Sequence, residues 1–582
     1  MYRARAGDTT PPANPWPLAA ASVLLLAAVP ALLCGIAYGE FLRRRRLAWT
    51  WTLLSAAATA PLLAVFAPPA AHALVALARH PDGGLPSLTQ WCDLLWPFWL
   101  AAVSPIAARW KAWRDHRARL QGGHAERNAS HQLGPVAWLR RRRRNAAIEA
   151  AGPVSPEGVY LGVDEHGDAA LVPPLLAHAT IVGGSGTGKT NTAEVLLEAH
   201  VADGAGFVVL DGKGGRSLAR TALQLGARYG RPVALWSVIP YGIGAEDLDS
   251  HRLPWNVTGD GNPTEIKDRI ASTEEQTEPY YAAVAARGLL MSARALQHTE
   301  GVVRLDALAG CLENQNRLSE VLKRSASEDI QSLHWLNTLD DAERSGLRGM
   351  GLRLRTMVSS DGGEWLLPSA DGREISLYRA IKERWLVVFT LPQGLYPELI
   401  PHVTRYVLQA INSVCTRMEA EGTTAYSVLF VDELSAFEGD ELAAAMERAR
   451  SAGVRVVVAT QSLSNFDTVG GTKLLHAALD DTELLIIHCQ SVPDAAEQLA
   501  GVGGTTEGWE HTHQVQDRGG FPALGIALGR DESGQRARRL TDHFIVHPNT
   551  IKRLTRGQAV VISKRPTHSV RVLQIRPGLT AR

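Results

Sequence analysis

Three short stretches carry residue types that together can hold a nucleotide and cleave its terminal phosphate. The first, "HATIVGGSGTGKTNTAEVLLEAHV", begins at His178. A β-branched run leads into glycines and then into a helix starting near Lys189. Gly183, Gly188, Lys189 and Thr190 fit the pattern G-x-x-x-x-G-K-[ST]. In such a loop, Gly183, Gly184, Ser185, Gly186, Thr187 and Gly188 let backbone N–H groups close on phosphate oxygens, and the following helix adds positive potential. Lys189 then reaches the β- and γ-phosphates of ATP, and the Thr190 hydroxyl coordinates Mg²⁺.

The second stretch is "YSVLFVDELSAF", starting at Tyr426. An apolar run ends in Asp432 and Glu433, as a buried parallel strand would when it delivers acids to a site at its carboxyl end. Asp432 is placed to hold Mg²⁺ through water, and Glu433 to orient and deprotonate an attacking water. The third is "GVRVVVATQSLSNF", a further apolar strand ending in Thr460 and Gln461. An amide at that position can contact the γ-phosphate or the attacking water.

These residues need a sheet to position them. "GFVVLD", "PVALWS", "WLVVFTLP" and "ELLIIHC" read as more strands, with helical patterns between most of them. The pattern predicts an α/β fold: a RecA-like parallel sheet with helices on both faces. Over 263–357 the strand signal stops and "YYAAVAARGLLMSARALQ" and "ENQNRLSEVLKR" have helical spacing, which predicts an inserted all-helical subdomain. The ATPase domain is expected over 158–582, interrupted by that insertion.

Residues 1–120 read as a transmembrane region of about three helices. The stretches 18–39 and 47–78 carry no charge, and 91–108 carries only Asp93. Arg43, Arg44, Arg45 and Arg46, and the basic residues from Arg109 to Arg119, place their loops in the cytoplasm. The nearly neutral loop over 79–90 then lies outside. This parity puts the ATPase domain on the cytoplasmic side of a bacterial cell membrane as part of a multi-pass chain. A basic linker is expected over 121–157, flexible near "GGHAERNASHQLGP" and carrying Arg140–Arg144. The five cysteines are far apart, with no metal-ligand spacing, as in a reducing compartment. His511 and His513 form an isolated H-x-H and read as an exposed loop.

The order of motifs resembles the type IV coupling proteins (TraG/TraD-like) of bacterial conjugation and secretion, within the FtsK/HerA-like motor superfamily. The matching pieces are "GGSGTGKT", "VVLDGKGG", "LPWNV", the helical insertion, "LFVDEL", "VATQSL" and the closing "LTRGQAVVISKRPTHSVRVLQIRP". The resemblance implies a homo-hexameric ATPase ring, anchored in the membrane, that moves DNA, either a single-stranded transfer strand or duplex. It also implies partners in the relaxase or relaxosome and in the secretion channel proteins. It further implies an arginine finger before the T-Q strand, which falls on Arg450, with Arg448 as a second candidate. Asp211 and Lys213 match the family's D-x-K-G motif without an evident role. Two other readings stay open: an FtsK-like double-stranded DNA pump and a protein-export ATPase platform. With five residues after Pro577, no C-terminal winged-helix reader of the pump type is expected.

Overall fold

The computed structural model describes residues 16–45, 47–48, 50–79, 87–120, 135–173, 178–272, 278–325, 330–434, 439–466, 474–515, 532–565 and 567–581. The chain divides into two compact units, Met1–Ala147 and Ile148–Arg582.

The first unit holds helices α1 (Trp16–Arg44), α2 (Thr50–Arg79) and α3 (Leu88–Leu120). Gly35 and Gly39, one G-x-x-x-G spacing, let α1 lie against α3: a Cβ at Gly39 would come within 2.8 Å of the Ala107 carbonyl oxygen. Ser55 of α2 and Ser104 of α3 share a hydroxyl hydrogen bond of 2.9 Å. By length and composition, the segments Thr50–Leu77 and Thr89–Arg114 could each cross a membrane. The flexible stretch expected near Gly122 and most of the loop expected to lie outside the membrane fall outside the described residues. Arg140–Arg144 fall within a helix, α4 (Pro135–Ala151).

The second unit is built on one sheet of twelve strands. In chain order these are β1 (Val154–Ser155), β2 (Gly158–Asp164), β3 (Ala169–Val172), β4 (His178–Val182), β5 (Gly206–Asp211), β6 (Val233–Ser237), β7 (Leu386–Thr390), β8 (Ser427–Asp432), β9 (Val454–Thr460), β10 (Thr482–Ile487), β13 (Gln558–Ser563) and β14 (Ser569–Ile575). Among the described residues, the intervening β11 (Thr505–Val515) and β12 (Glu532–Phe544) pair only with each other. His511 and His513 therefore lie in a strand, not in the expected loop; opposite Arg538 and Arg536, they complete an antiparallel ladder.

Neighbours run β10-β4-β9-β8-β5-β7-β6, every pair parallel. One strand, β9, separates the strand that feeds the glycine loop from the strand that ends in Asp432, which gives the RecA-like order. The expected all-parallel sheet is incomplete at one side, where β13, β14, β2, β3 and β1 add in antiparallel fashion. Short antiparallel strands need only tight turns between them, so no helical pattern announces them.

Alternation along the strands splits the core. Phe207 and Val209 of β5 face one apolar cluster, with Leu196 and Leu225, while Val208 and Leu210 face the other. The first layer is formed by α5 (Lys189–Ala202) and α6 (Ser217–Tyr229). On the other face the same core continues into the helices of the insertion: α7 (Pro263–Ala271), α8 (Pro279–Glu300), α9 (Leu305–Glu313), α10 (Gln315–Arg324), α11 (Ile330–Thr338) and α12 (Asp341–Ser359). Leu289, Leu308, Leu347 and Leu354 are buried there. Local signals start these helices. Asn262 and Glu265 form a capping box with Pro263 at the first turn of α7, and Asp340 and Glu343 form another on α12.

Candidate nucleotide site

The carboxyl ends of β4, β5, β8, β9 and β10 meet at one edge of the sheet. All five residues of β4 are buried, and the chain then turns through 183–188 into α5. Gly186 and Gly188 have φ of 74° and 117°, the left-handed region open to glycine. Gly183 has a steric reason as well: a Cβ there would stand 2.5 Å from the His488 Cβ. Thr187 donates its hydroxyl to the Gly184 carbonyl at 2.8 Å, which tightens the loop. Thr190 is the second residue of α5, half-buried beside the loop.

Lys189 is 5% exposed. Its ammonium donates to the carbonyls of Gly183 and, at 3.0 Å, Gly184. Burial pushes its pKa down and the Lys213 charge adds to this, while Glu433 and Asp432 oppose it. Lys189 therefore sits within electrostatic reach of both strand-end acids.

Asp432 ends β8 and is 2% exposed. Glu433 follows with φ of 70°, one of two described non-glycine residues in the left-handed region. That backbone turn takes Glu433 out of the strand's alternation, so two consecutive acids serve the same edge. Gln461, just past β9, donates its amide to a Glu433 carboxylate oxygen at 2.7 Å. Gln490 in turn donates to the Gln461 carbonyl at 2.9 Å.

Sequence reasoning left two neighbours without a role. Lys213 donates to both carboxylate oxygens of Asp432, at 3.1 and 3.0 Å. Asp211, ending β5, accepts from the backbone N–H of Lys213 at 3.0 Å and of Gly215 at 3.1 Å. Burial, reinforced by the Asp432 charge, raises its pKa to about 6. His488, just past β10, stands in no motif that marks it in the sequence. It donates from Nδ1 to the Gln558 carbonyl at 2.9 Å, so Nε2 accepts the Thr192 hydroxyl at 2.9 Å. Burial lowers its pKa to about 4, which keeps it neutral. It joins α5, β10 and the turn before β13, where Gly557 donates to the Thr187 carbonyl at 2.9 Å.

Arg450 is not part of this cluster. Helices α13 (Leu377–Lys382), α14 (Leu399–Ala420) and α15 (Gly439–Ala449) follow the insertion, and Arg450 is exposed just beyond α15, at the start of the turn into β9. Its charge acts on His178 at the opposite end of β4. The length of β9, roughly 20 Å at 3.3 Å per residue, separates it from Gln461. Arg448, on the last turn of α15, is exposed on the same edge.

The donor set fits Mg²⁺ held with a nucleotide. A helix-start hydroxyl and a buried carboxylate are the oxygen ligands such a site uses, and Asp432 already carries a cation, the Lys213 ammonium.

No family model matches the chain, and no curated protein matches it. Among solved structures it is similar to the bacterial conjugative coupling protein TrwBdeltaN70 in its unbound monoclinic form, at 18% identity over 73% of this chain and 90% of that one, with a TM-score of 0.48. The plasmid coupling protein TrwB in complex with ADP and Mg²⁺ gives 16% identity, 75% and 94% coverage and a TM-score of 0.47. VirB4 of Thermoanaerobacter pseudethanolicus gives 12%, 74% and 99%, and 0.46. At these identities and scores the likeness assigns no activity to this chain.

Proposed function

We propose that the chain is a membrane-anchored ATPase that couples ATP hydrolysis to DNA movement in conjugative transfer. It works as a homo-hexamer and delivers relaxase-bound DNA to a type IV secretion channel. The observation that carries the catalytic part is the convergence, at one sheet edge, of Lys189 with the acid pair Asp432 and Glu433, and of Gln461 hydrogen-bonded to Glu433. The order of motifs, with D-x-K-G after the glycine loop and the helical insertion before the acid pair, supports the conjugative reading. The apolar N-terminal helices support a membrane anchor.

In this reading the amides of 183–188 receive the phosphates of ATP and Lys189 turns from the loop carbonyls onto the β- and γ-oxygens. Thr190 and Asp432 would hold Mg²⁺, and the ion would supply charge neutralisation at the phosphates. Glu433 takes the proton of the attacking water. Gln461, held to Glu433, carries the state of the γ-phosphate into β9. Arg450, exposed on the far edge, serves a neighbouring subunit's nucleotide.

The test is Lys189→Ala in the full-length protein, reconstituted in lipid. ATP turnover falls to background while membrane insertion, read by extraction resistance, is unchanged. Turnover that persists in Lys189→Ala would place hydrolysis elsewhere.

A further inference from the structure

Lys213 is fixed at its backbone, while its head, paired with Asp432, is half-exposed. Asp211 and Asp432 are register partners at the ends of adjacent parallel strands. After Asp211 the chain turns on itself: the Asp211 carboxylate accepts the N–H groups of Lys213 and Gly215, Gly214 has φ of 70°, and Gly212 donates to the Asp432 carbonyl at 3.1 Å. The turn is thereby tied to β8, and the Lys213 ammonium reaches both oxygens of Asp432. The two partners differ in solvent access: the Asp432 side chain is 3% exposed and that of Lys213 39% exposed. The carboxylate cannot leave, whereas the ammonium can swing out into water on its flexible stem.

A buried carboxylate beside another acid is costly to keep charged without a cation. It also repels an incoming triphosphate. Lys213 answers both demands while no metal is bound. A divalent ion held on those oxygens, directly or through one water, would repel an ammonium 3.0 Å from Asp432, so each weakens the hold of the other. Resting on the nucleotide-site reading above, we propose that Lys213 is a built-in cation that holds Asp432 in place for the metal and is displaced from it when Mg²⁺ enters with nucleotide. Lys213 is thus a positioning residue that sets the Mg²⁺ requirement of nucleotide binding. Its release moves the ammonium into water while the turn after β5 stays tied by Asp211 and by Gly212.

The experiment uses the full-length protein in lipid nanodiscs and a fluorescent ATP analogue, with Mg²⁺ titrated at fixed nucleotide. Lys213→Met removes the competitor, so the Mg²⁺ concentration for half-saturation falls roughly 2- to 5-fold, the scale of one partly exposed ion pair. In EDTA the same variant binds the analogue more weakly than wild type, because Asp432 then faces the phosphates uncompensated. Lys213→Arg, which keeps the charge, stays near wild type in both readings, and thermal unfolding verifies that each variant is folded. An unchanged or raised Mg²⁺ half-saturation in folded Lys213→Met, with nucleotide binding intact, would overturn the competition and leave the nucleotide site standing. A shift in Lys213→Arg as large as in Lys213→Met would overturn it too. Wild-type protein that binds no analogue at any Mg²⁺ concentration would overturn both readings together.

Discussion

Glu433, the proposed base, has a backbone conformation that side chains resist. Its φ of 70° carries a cost of about 1–2 kcal/mol for any residue with a Cβ. Strain of this kind is retained where function needs it. Comparing Glu433→Gly with Glu433→Ala isolates the backbone contribution, because both remove the carboxylate and its bond to Gln461. Both variants lose turnover by at least ~100-fold, the usual worth of a general base. The glycine variant unfolds at a higher temperature than the alanine variant, by about 1 kcal/mol in stability. Equal melting temperatures would mean that residue 433 is not held in the left-handed region. At this scale the sequence was informative where chemistry is local. Gly183 to Thr190 are contiguous, and Asp432 with Glu433 end an obvious apolar run. Lys213 was not interpretable, because its partner lies 219 residues away and the contact exists only because β5 and β8 are neighbours.

Among the elements, β10 and the turn before β13 act as the back wall of the glycine loop, and His488 is the joint. Its imidazole connects Thr192 of α5 with the Gln558 carbonyl, partners 296 and 70 residues distant. Separations of that size leave no periodic trace, which is why the strands were legible and their order was not. The joint has a pH signature. A histidine whose pKa is lowered to about 4 in the fold takes up a proton more readily when unfolded. Its contribution is complete above the ordinary histidine range, near pH 6.5, and is lost as pH falls toward 4. The loss is on the order of 2–3 kcal/mol. In chemical denaturation across that interval, wild type loses more stability on acidification than His488→Gln does. Parallel curves for the two proteins would show that the imidazole is as free to protonate in the fold as outside it. The resemblance of the C-terminal tail implies closing strands where β13 and β14 lie, but not their antiparallel pairing: a short connection joins them, without the crossover helix that marks a parallel neighbour.

For the whole molecule, the position of Arg450 bears on the proposed assembly into a ring. It is exposed at the edge of the sheet away from its own Gln461, so a role in hydrolysis requires a second copy of the chain. Arg450→Ala protein and Glu433→Gln protein are each inactive alone. Mixed in one assembly they regain turnover, because some interfaces pair an intact Glu433 with an intact Arg450. No recovery at any mixing ratio, with mixed assemblies demonstrated, would remove Arg450 from the mechanism. The central claim is that this site drives movement of DNA. The measurement that meets it most directly is the ATP turnover of the full-length protein in lipid with single-stranded DNA, with duplex DNA and with no polymer. The account predicts a turnover that rises severalfold with DNA and that vanishes with Glu433→Gln. Nucleotide-bound, folded protein whose turnover is the same with either form of DNA as without it would contradict the account.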